Sequence, residues 1–190
     1  MPSPRLILAS SSPRRRQLLA DAGYVFDVIQ PHESAECGVC ASESPPELVA
    51  RLALQKAADV AGRVSEGIVV GCDTVAECRG QILGKPRDRE HARQMLQLLR
   101  GREHHVYSGL CLWRRPDDVK QVAVETTRLV MDPVSEGDLA AYLATDAWEG
   151  KAGAFGYQDG LDWVHILEGS ESNVVGLPME LFARLLEQFP

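Results

Sequence analysis

Arg5-Leu6-Ile7-Leu8-Ala9-Ser10-Ser11-Ser12-Pro13-Arg14-Arg15-Arg16 is the stretch on which the architecture turns. Residues 5–9 read as a short buried strand. Ser12 is an N-cap side chain and Pro13 suits a first helical position, so a helix begins at once and runs through Leu18 and Leu19. Gly23 offers the C′ residue that stops it. Residues 24–29 then alternate like a second strand, and strand, helix and strand in that order are the start of an α/β fold.

The interleaving continues down the chain. Residues 30–43 are polar and irregular, and Ser44-Pro45-Pro46-Glu47 opens a second helix with Leu48, Val49, Leu52 and Ala53 at helical spacing. Residues 67–72 form a buried-strand run that continues past Asp73 to Ala76, and Arg79-Gly80 reads as a hairpin turn into residues 81–83. A third helix is expected over 89–99. Strands follow over 105–114 and 119–131 around Pro116-Asp117-Asp118, then a short helix starting at Ser135. Glycine-rich residues 150–160 lead to a strand at 163–167 and a last helix after Pro178. The class is α/β with a mixed sheet, and no repeat or linker divides the chain.

With 190 residues, 45% hydrophobic and 25% charged, the chain can bury a sizeable core and is not a disordered sequence. No apolar run approaches the ~18 residues that cross a bilayer. The N-terminus turns polar at Ser10, too early for a secretory h-region, so the expectation is a cytoplasmic protein with no membrane partner. Twenty basic against 27 acidic residues give a net charge of −7, which disfavours a nucleic-acid polymer as partner. Five cysteines make an odd set without a disulfide framework. Cys37-x-x-Cys40 has no second CxxC, which argues against structural zinc.

Three turns carry the charge chemistry. Free amides and the positive dipole end at Ser10–Ser12 favour an anion, whereas Arg14, Arg15 and Arg16 in a first helical turn repel that dipole unless an anion is bound. Because successive helical residues point ~100° apart, at most two of the three arginines face one ligand. Asp73, after a buried strand, has the position of a general base or Mg²⁺ ligand, and equally of a turn-forming Asp. Lys56, Lys85 and Lys151 are each ordinary surface residues taken singly and gain weight only together. His104 and His105, adjacent on a strand, place one imidazole on each face.

These motifs, taken in order, resemble the Maf family of nucleotide pyrophosphatases. The likeness rests on Leu8-Ala9-Ser10-Ser11-Ser12-Pro13-Arg14-Arg15, Arg51-Leu52-Ala53 with Lys56-Ala57, Gly71-Cys72-Asp73-Thr74, Gly84-Lys85-Pro86 and Gly101-x-x-His104-x-Val106. It continues through Lys151-Ala152-Gly153-Ala154-Phe155-Gly156-Tyr157-Gln158 to Val175-Gly176-Leu177-Pro178. The resemblance implies a Maf/ITPase-like fold, an elongated mixed twisted sheet flanked by helices with a cleft between two lobes, in a single domain over residues 1–190. It implies an enzyme that hydrolyses nucleoside triphosphates to the monophosphate and pyrophosphate with a divalent cation, Mg²⁺ or Mn²⁺, and a homodimer as the assembly to expect.

Carried over by residue, the catalytic carboxylate is Asp73. The substrate contacts are Ser10, Ser12, Arg14, Arg15, Lys56, Thr74, Lys85, Lys151 and Gln158, and the metal ligands are Asp73 with Glu33 or Glu36. Arg14, Thr74 and Gln158 match the branch resembling dTTP/UTP pyrophosphatases, and modified nucleotides are a further class of target. The alternatives are a pyrophosphatase for another base such as 7-methyl-GTP, and a nucleotide-binding regulator linked to cell division. The chain departs from the family at Ser34, where an acidic residue is usual, at Tyr157 and at Asp159.

Overall fold

Strand β1 (Leu6–Ala9) is buried at all four positions. In the computed structural model, which describes residues 5–36 and 43–189, β1 leads directly into helix α1 (Pro13–Asp21). Ser12 caps that helix, its hydroxyl accepting from the Arg15 amide at 3.5 Å. Beyond α1, Gly23 adopts φ +80°, and the chain turns into β2 (Phe26–Val28). Helix α2 (Pro45–Ala61) is capped by Ser44, whose amide and hydroxyl both donate to the Glu47 carboxylate, at 2.9 and 2.6 Å. It delivers the chain to β3 (Gly67–Cys78).

Both β2 and β3 pair parallel with β1, one on each side. The strand order therefore reverses at β1, and right-handed crossovers put α1 and α2 on opposite faces of the sheet. The two cores agree. Leu19 of α1 packs with Leu6, Leu8, Ile68 and Val70, whereas Ala53, Ala57 and Val60 of α2 pack with Ile7, Ala9 and Val69. Ligands of open α/β sheets bind at the carboxyl ends of strands where the order reverses, and here that end is Ser10.

The remaining strands are β4 (Gln81–Leu83), β5 (Glu103–Arg115), β6 (Lys120–Met131) and β7 (Val164–Glu168). The order across the sheet is β2-β1-β3-β5-β6-β7, with β4 antiparallel to β3 and β7 antiparallel to β6. Helices α3 (Arg89–Leu99), α4 (Glu136–Ala144), α5 (Glu171–Val175) and α6 (Met179–Glu187) complete the α/β fold. The sheet is mixed, as expected. Arg79 and Gly80 both take positive φ, as a two-residue hairpin turn requires. Two expectations needed adjustment. Helix α5 has too few residues to show a hydrophobic period, and β2 keeps only the three residues that pair with β1.

The chain divides into two compact units. One holds the chain up to Asp73, Ser108–Glu125 and the segment from Gly176 onward, with the two cores just described. The other holds Thr74–Tyr107 and Thr126–Val175 around a core that includes Leu96, Leu99, Leu129, Met131, Trp148 and Phe155. Strands β3, β5 and β6 contribute residues to both. Among the described residues no helix is long and apolar enough to cross a membrane.

In the first unit α2 lies with its backbone directly on the sheet. A Cβ at Gly71 would stand 2.3 Å from the Ala53 carbonyl oxygen, and one at Gly109 would stand 2.1 Å from that of Val49. These two glycines set the height of α2 above β3 and β5. That height decides where the α2 side chain Lys56 ends.

Candidate active site

The carboxyl end of β1 is built around two buried polar residues. Ser10 is 4% exposed and Arg15 is 9% exposed. Arg15 faces inward because it falls on the same side of α1 as Leu19, four residues on, while Arg16 is exposed and Arg14 half-buried. Its Nε donates to the Gly176 carbonyl at 2.7 Å, and its Nη1 donates to the Cys72 carbonyl at 2.7 Å and to Ser10 Oγ at 3.3 Å. Ser10 Oγ also accepts from the Ser12 amide at 3.1 Å. Sequence reasoning saw the arginine anomaly but not that Arg15 would be anchored on backbone carbonyls far along the chain.

Asp73 follows Cys72 on β3. The register pairs Ala9 with Gly71, so the chain leaves β1 at Ser10 where β3 approaches its acidic residue. Lys56 comes from the buried face of α2 that carries Ala53, Ala57 and Val60. Its Nζ donates to Asp73 Oδ1 at 2.6 Å, with side-chain exposures of only 6% and 14%. Lys56 is thus not the surface residue that a lysine is by default. A buried ammonium needs a paired carboxylate, because the isolated charge is strongly disfavoured in low dielectric. The second Asp73 oxygen, Oδ2, has no hydrogen-bond partner among the described residues.

Thr74, Lys85, Lys151 and Gln158 belong to the second unit. Thr74 is half-buried, and Lys85 and Gln158 are exposed. The Gly153 amide donates to the Gly84 carbonyl at 3.1 Å, so the loops bearing Lys85 and Lys151 are tied together. Lys151 is largely buried and its Nζ is paired with the Asp159 carboxylate. Asp159, one of the departures from the family, is therefore the partner of a candidate phosphate-binding lysine. Its eight-residue separation from Lys151 falls on a loop, where no helical or strand period signals contact.

His104 and His105 divide across β5 as expected. His104 is 1% exposed, sits edge-on to Phe155 at 5.4 Å, and has no partner for Nε2. Burial pushes its pKa down to about 4. The neutral ring is the folded form, so this residue's contribution to stability is complete above its ordinary pKa near 6.5. That contribution is lost as pH falls from there through about 4. At pH 4.5 the loss is expected to reach about 2–3 kcal/mol. A His104→Gln variant, melted at pH 7.5 and 4.5, is expected to show a smaller acid-induced drop in Tm than the parent, and an equal drop would exclude His104 as the cause.

The donor set bears on a divalent cation as follows. Asp73 Oδ2 is a hard oxygen ligand of the type Mg²⁺ or Mn²⁺ accepts, and Mg²⁺ sites commonly use one or two carboxylates with substrate phosphates. Glu33 is exposed on a short 3₁₀ turn, Glu33–Glu36. That turn packs against α2, with His32 before it bonded through Nδ1 to Asp59 Oδ1 at 2.7 Å. The backbone of Glu36 belongs to the same turn. Among the described residues no three His, Cys, Asp or Glu side chains gather into a metal cluster. The Cys37-x-x-Cys40 pair lies outside the described residues. Cys72, Cys78 and Cys111 are thiols outside any disulfide, buried in the cores.

The family model described as "Maf-like protein" matches residues 5–189. The chain is 56% identical over 190 residues to a protein of Rhodopirellula baltica named dTTP/UTP pyrophosphatase, covering 99% of this chain and 84% of that one. A Pelotomaculum thermopropionicum protein of the same name is 41% identical over 187 residues, covering 97% and 96%. Among solved structures, the Staphylococcus aureus Ham1 protein matches with a TM-score of 0.55 at 14% identity, covering 96% of this chain and 98% of that one. That last likeness is one of fold.

Proposed function

Because the chain belongs to the Maf family, we propose that it hydrolyses nucleoside triphosphates to the monophosphate and pyrophosphate, with dTTP and UTP as preferred substrates. The observation that carries this reading is the buried Lys56–Asp73 pair, 2.6 Å apart, in the same unit as the Ser10 turn. A lysine and an aspartate held out of solvent beside a helix N-terminus supply the two things this chemistry needs. These are positive charge for a polyanion and a carboxylate for water.

Ser10 and the first turn of α1 receive phosphate oxygens, with Lys56 neutralising charge that spreads toward the leaving pyrophosphate. Asp73 orients a water for in-line attack on the α-phosphorus and accepts its proton at Oδ2. Asp73 with Glu33 or Glu36 would hold a divalent cation, Mg²⁺ or Mn²⁺, which would supply further charge neutralisation. Ser12, Arg14, Lys85 and Lys151 are assigned to the substrate, and Thr74 and Gln158 to the base, from the resemblance alone. Two separate requirements bear on Lys151, since Asp159 already holds its ammonium.

The test is a panel of canonical and methylated triphosphates with Mg²⁺, resolving pyrophosphate from orthophosphate. Pyrophosphate with the monophosphate is expected, fastest from dTTP and UTP, and excess chelator is expected to abolish release until Mg²⁺ is restored. Orthophosphate as the first product would refute the reaction, and saturable binding without turnover would mark a regulatory module instead.

A further inference from the structure

We propose that Arg15 is a positioning residue that acts on the bound anion through Ser10, turning the Ser10 hydroxyl into an obligate hydrogen-bond donor. The inference deepens the function proposed above and rests on its reading of the Ser10 turn as the phosphate end of the site. A serine hydroxyl has two acceptor lone pairs and one proton. Both lone pairs of Ser10 are engaged, one by the Ser12 amide at 3.1 Å and one by Arg15 Nη1 at 3.3 Å. The proton must therefore point elsewhere, and among the described residues no acceptor takes it. Ser10 is 4% exposed, so this is a buried donor beside the N-terminus of α1, a nine-residue helix.

Arg15 is locked in this task. Its Nε is engaged by the Gly176 carbonyl, and both Nη1 protons are engaged by Ser10 Oγ and the Cys72 carbonyl. At least three of its five N–H groups thus serve the protein rather than a ligand. The planar fork suits three fixed acceptors, which a lysine ammonium on a flexible stem would not satisfy together. The Cys72 carbonyl belongs to the peptide that precedes Asp73, so the same clamp fixes the stretch of β3 bearing the carboxylate. What the Ser10 hydroxyl can donate to is then restricted by chemistry. The partner must offer an unprotonated oxygen, as a phosphate does, and groups that only donate are rejected.

Binding of inorganic pyrophosphate in magnesium-free buffer, measured by calorimetry on the full chain, reads this without turnover. Ser10→Ala is expected to weaken binding about tenfold, the loss of one charge-assisted hydrogen bond. Arg15→Lys is expected to weaken it by a similar factor, and the double variant to be no more than about twofold worse than the weaker single variant, because one residue acts through the other. Losses that multiply to about 100-fold would overturn the proposal, since Arg15 would then reach the anion independently. Unchanged binding in Ser10→Ala would overturn it as well.

Should Arg15→Lys fail to fold, Ser10→Cys decides with Arg15 intact. A thiol is a weak donor and is expected to bind as poorly as Ala, so parental affinity would show that the proton is immaterial. A chain that shows the coupling yet hydrolyses no triphosphate would refute the proposed function and leave this inference standing.

Discussion

Asp73→Asn is expected to lower kcat for dTTP by about 1,000-fold, within the range for removal of a positioned general base. Asn keeps the shape and a carbonyl oxygen for Lys56, but it can neither take a proton from water nor offer a charged oxygen to a cation. KM is expected to stay level or fall, because the carboxylate that repels a polyanion is gone. The same change leaves Lys56 buried at 6% exposure without its counter-charge. Breaking a buried pair on one side costs about 3 kcal/mol or more, which in a chain of this size is a drop in Tm of about 6–12 °C. Rates of pyrophosphate release at saturating dTTP and a thermal melt on the same preparation separate the two effects. Normal turnover in this variant would remove Asp73 from the mechanism.

Gly109→Ala is expected to be the most damaging single methyl addition in the first unit. The new carbon would stand 2.1 Å from the Val49 carbonyl oxygen and 2.7 Å from the Ala50 amide nitrogen. Both are backbone atoms of α2, and no side-chain rotation relieves the overlap. Either α2 lifts from the sheet or β5 bends away. Overpacking of this kind costs about 3 kcal/mol or more.

Lifting α2 also carries Lys56 away from Asp73, and a displacement of about 1 Å at a reacting group can cost about 100-fold in rate. Stability and kcat should therefore fall together. Gly71→Ala, 2.3 Å from the Ala53 carbonyl, should behave alike. Gly62→Ala is the control: its Cβ meets ordinary contacts at 3.5 and 3.8 Å and its φ is −66°, so it is expected to be neutral or stabilising by up to about 1 kcal/mol. If Gly109→Ala melted with that control, the close seating of α2 would be wrong.

The local features of the site were legible in the residues. Ser12 and Pro13 mark where α1 starts because a cap and a fixed φ act within one turn. Arg79-Gly80 marks a hairpin for the same kind of reason, and the alternation of strands and helices marks the α/β class. The unexpected short helix α5 and the three-residue β2 show the limit. Elements of a few residues have too little periodicity to declare themselves, and their extent depends on what pairs with them.

Charge and hydrogen-bond partners were a different matter. Lys56 and Asp73 are 17 positions apart, and nothing in either neighbourhood announces that the lysine is buried. Its burial follows from the seating of α2 on Gly71 and Gly109, with one carboxylate at the far end of the contact. Arg15 looked like a ligand arginine, and the tertiary structure gives it carbonyls at positions 72 and 176 and the Ser10 hydroxyl as partners. Lys151 looked like a free cation, and Asp159 holds it. The chemistry of each residue, donor or acceptor and cation or anion, is intrinsic to its type and was known from the chain. Which groups meet is decided by strand register and helix seating, because a buried charge is satisfied by whatever the fold brings within 3 Å, and sequence distance places no limit on that.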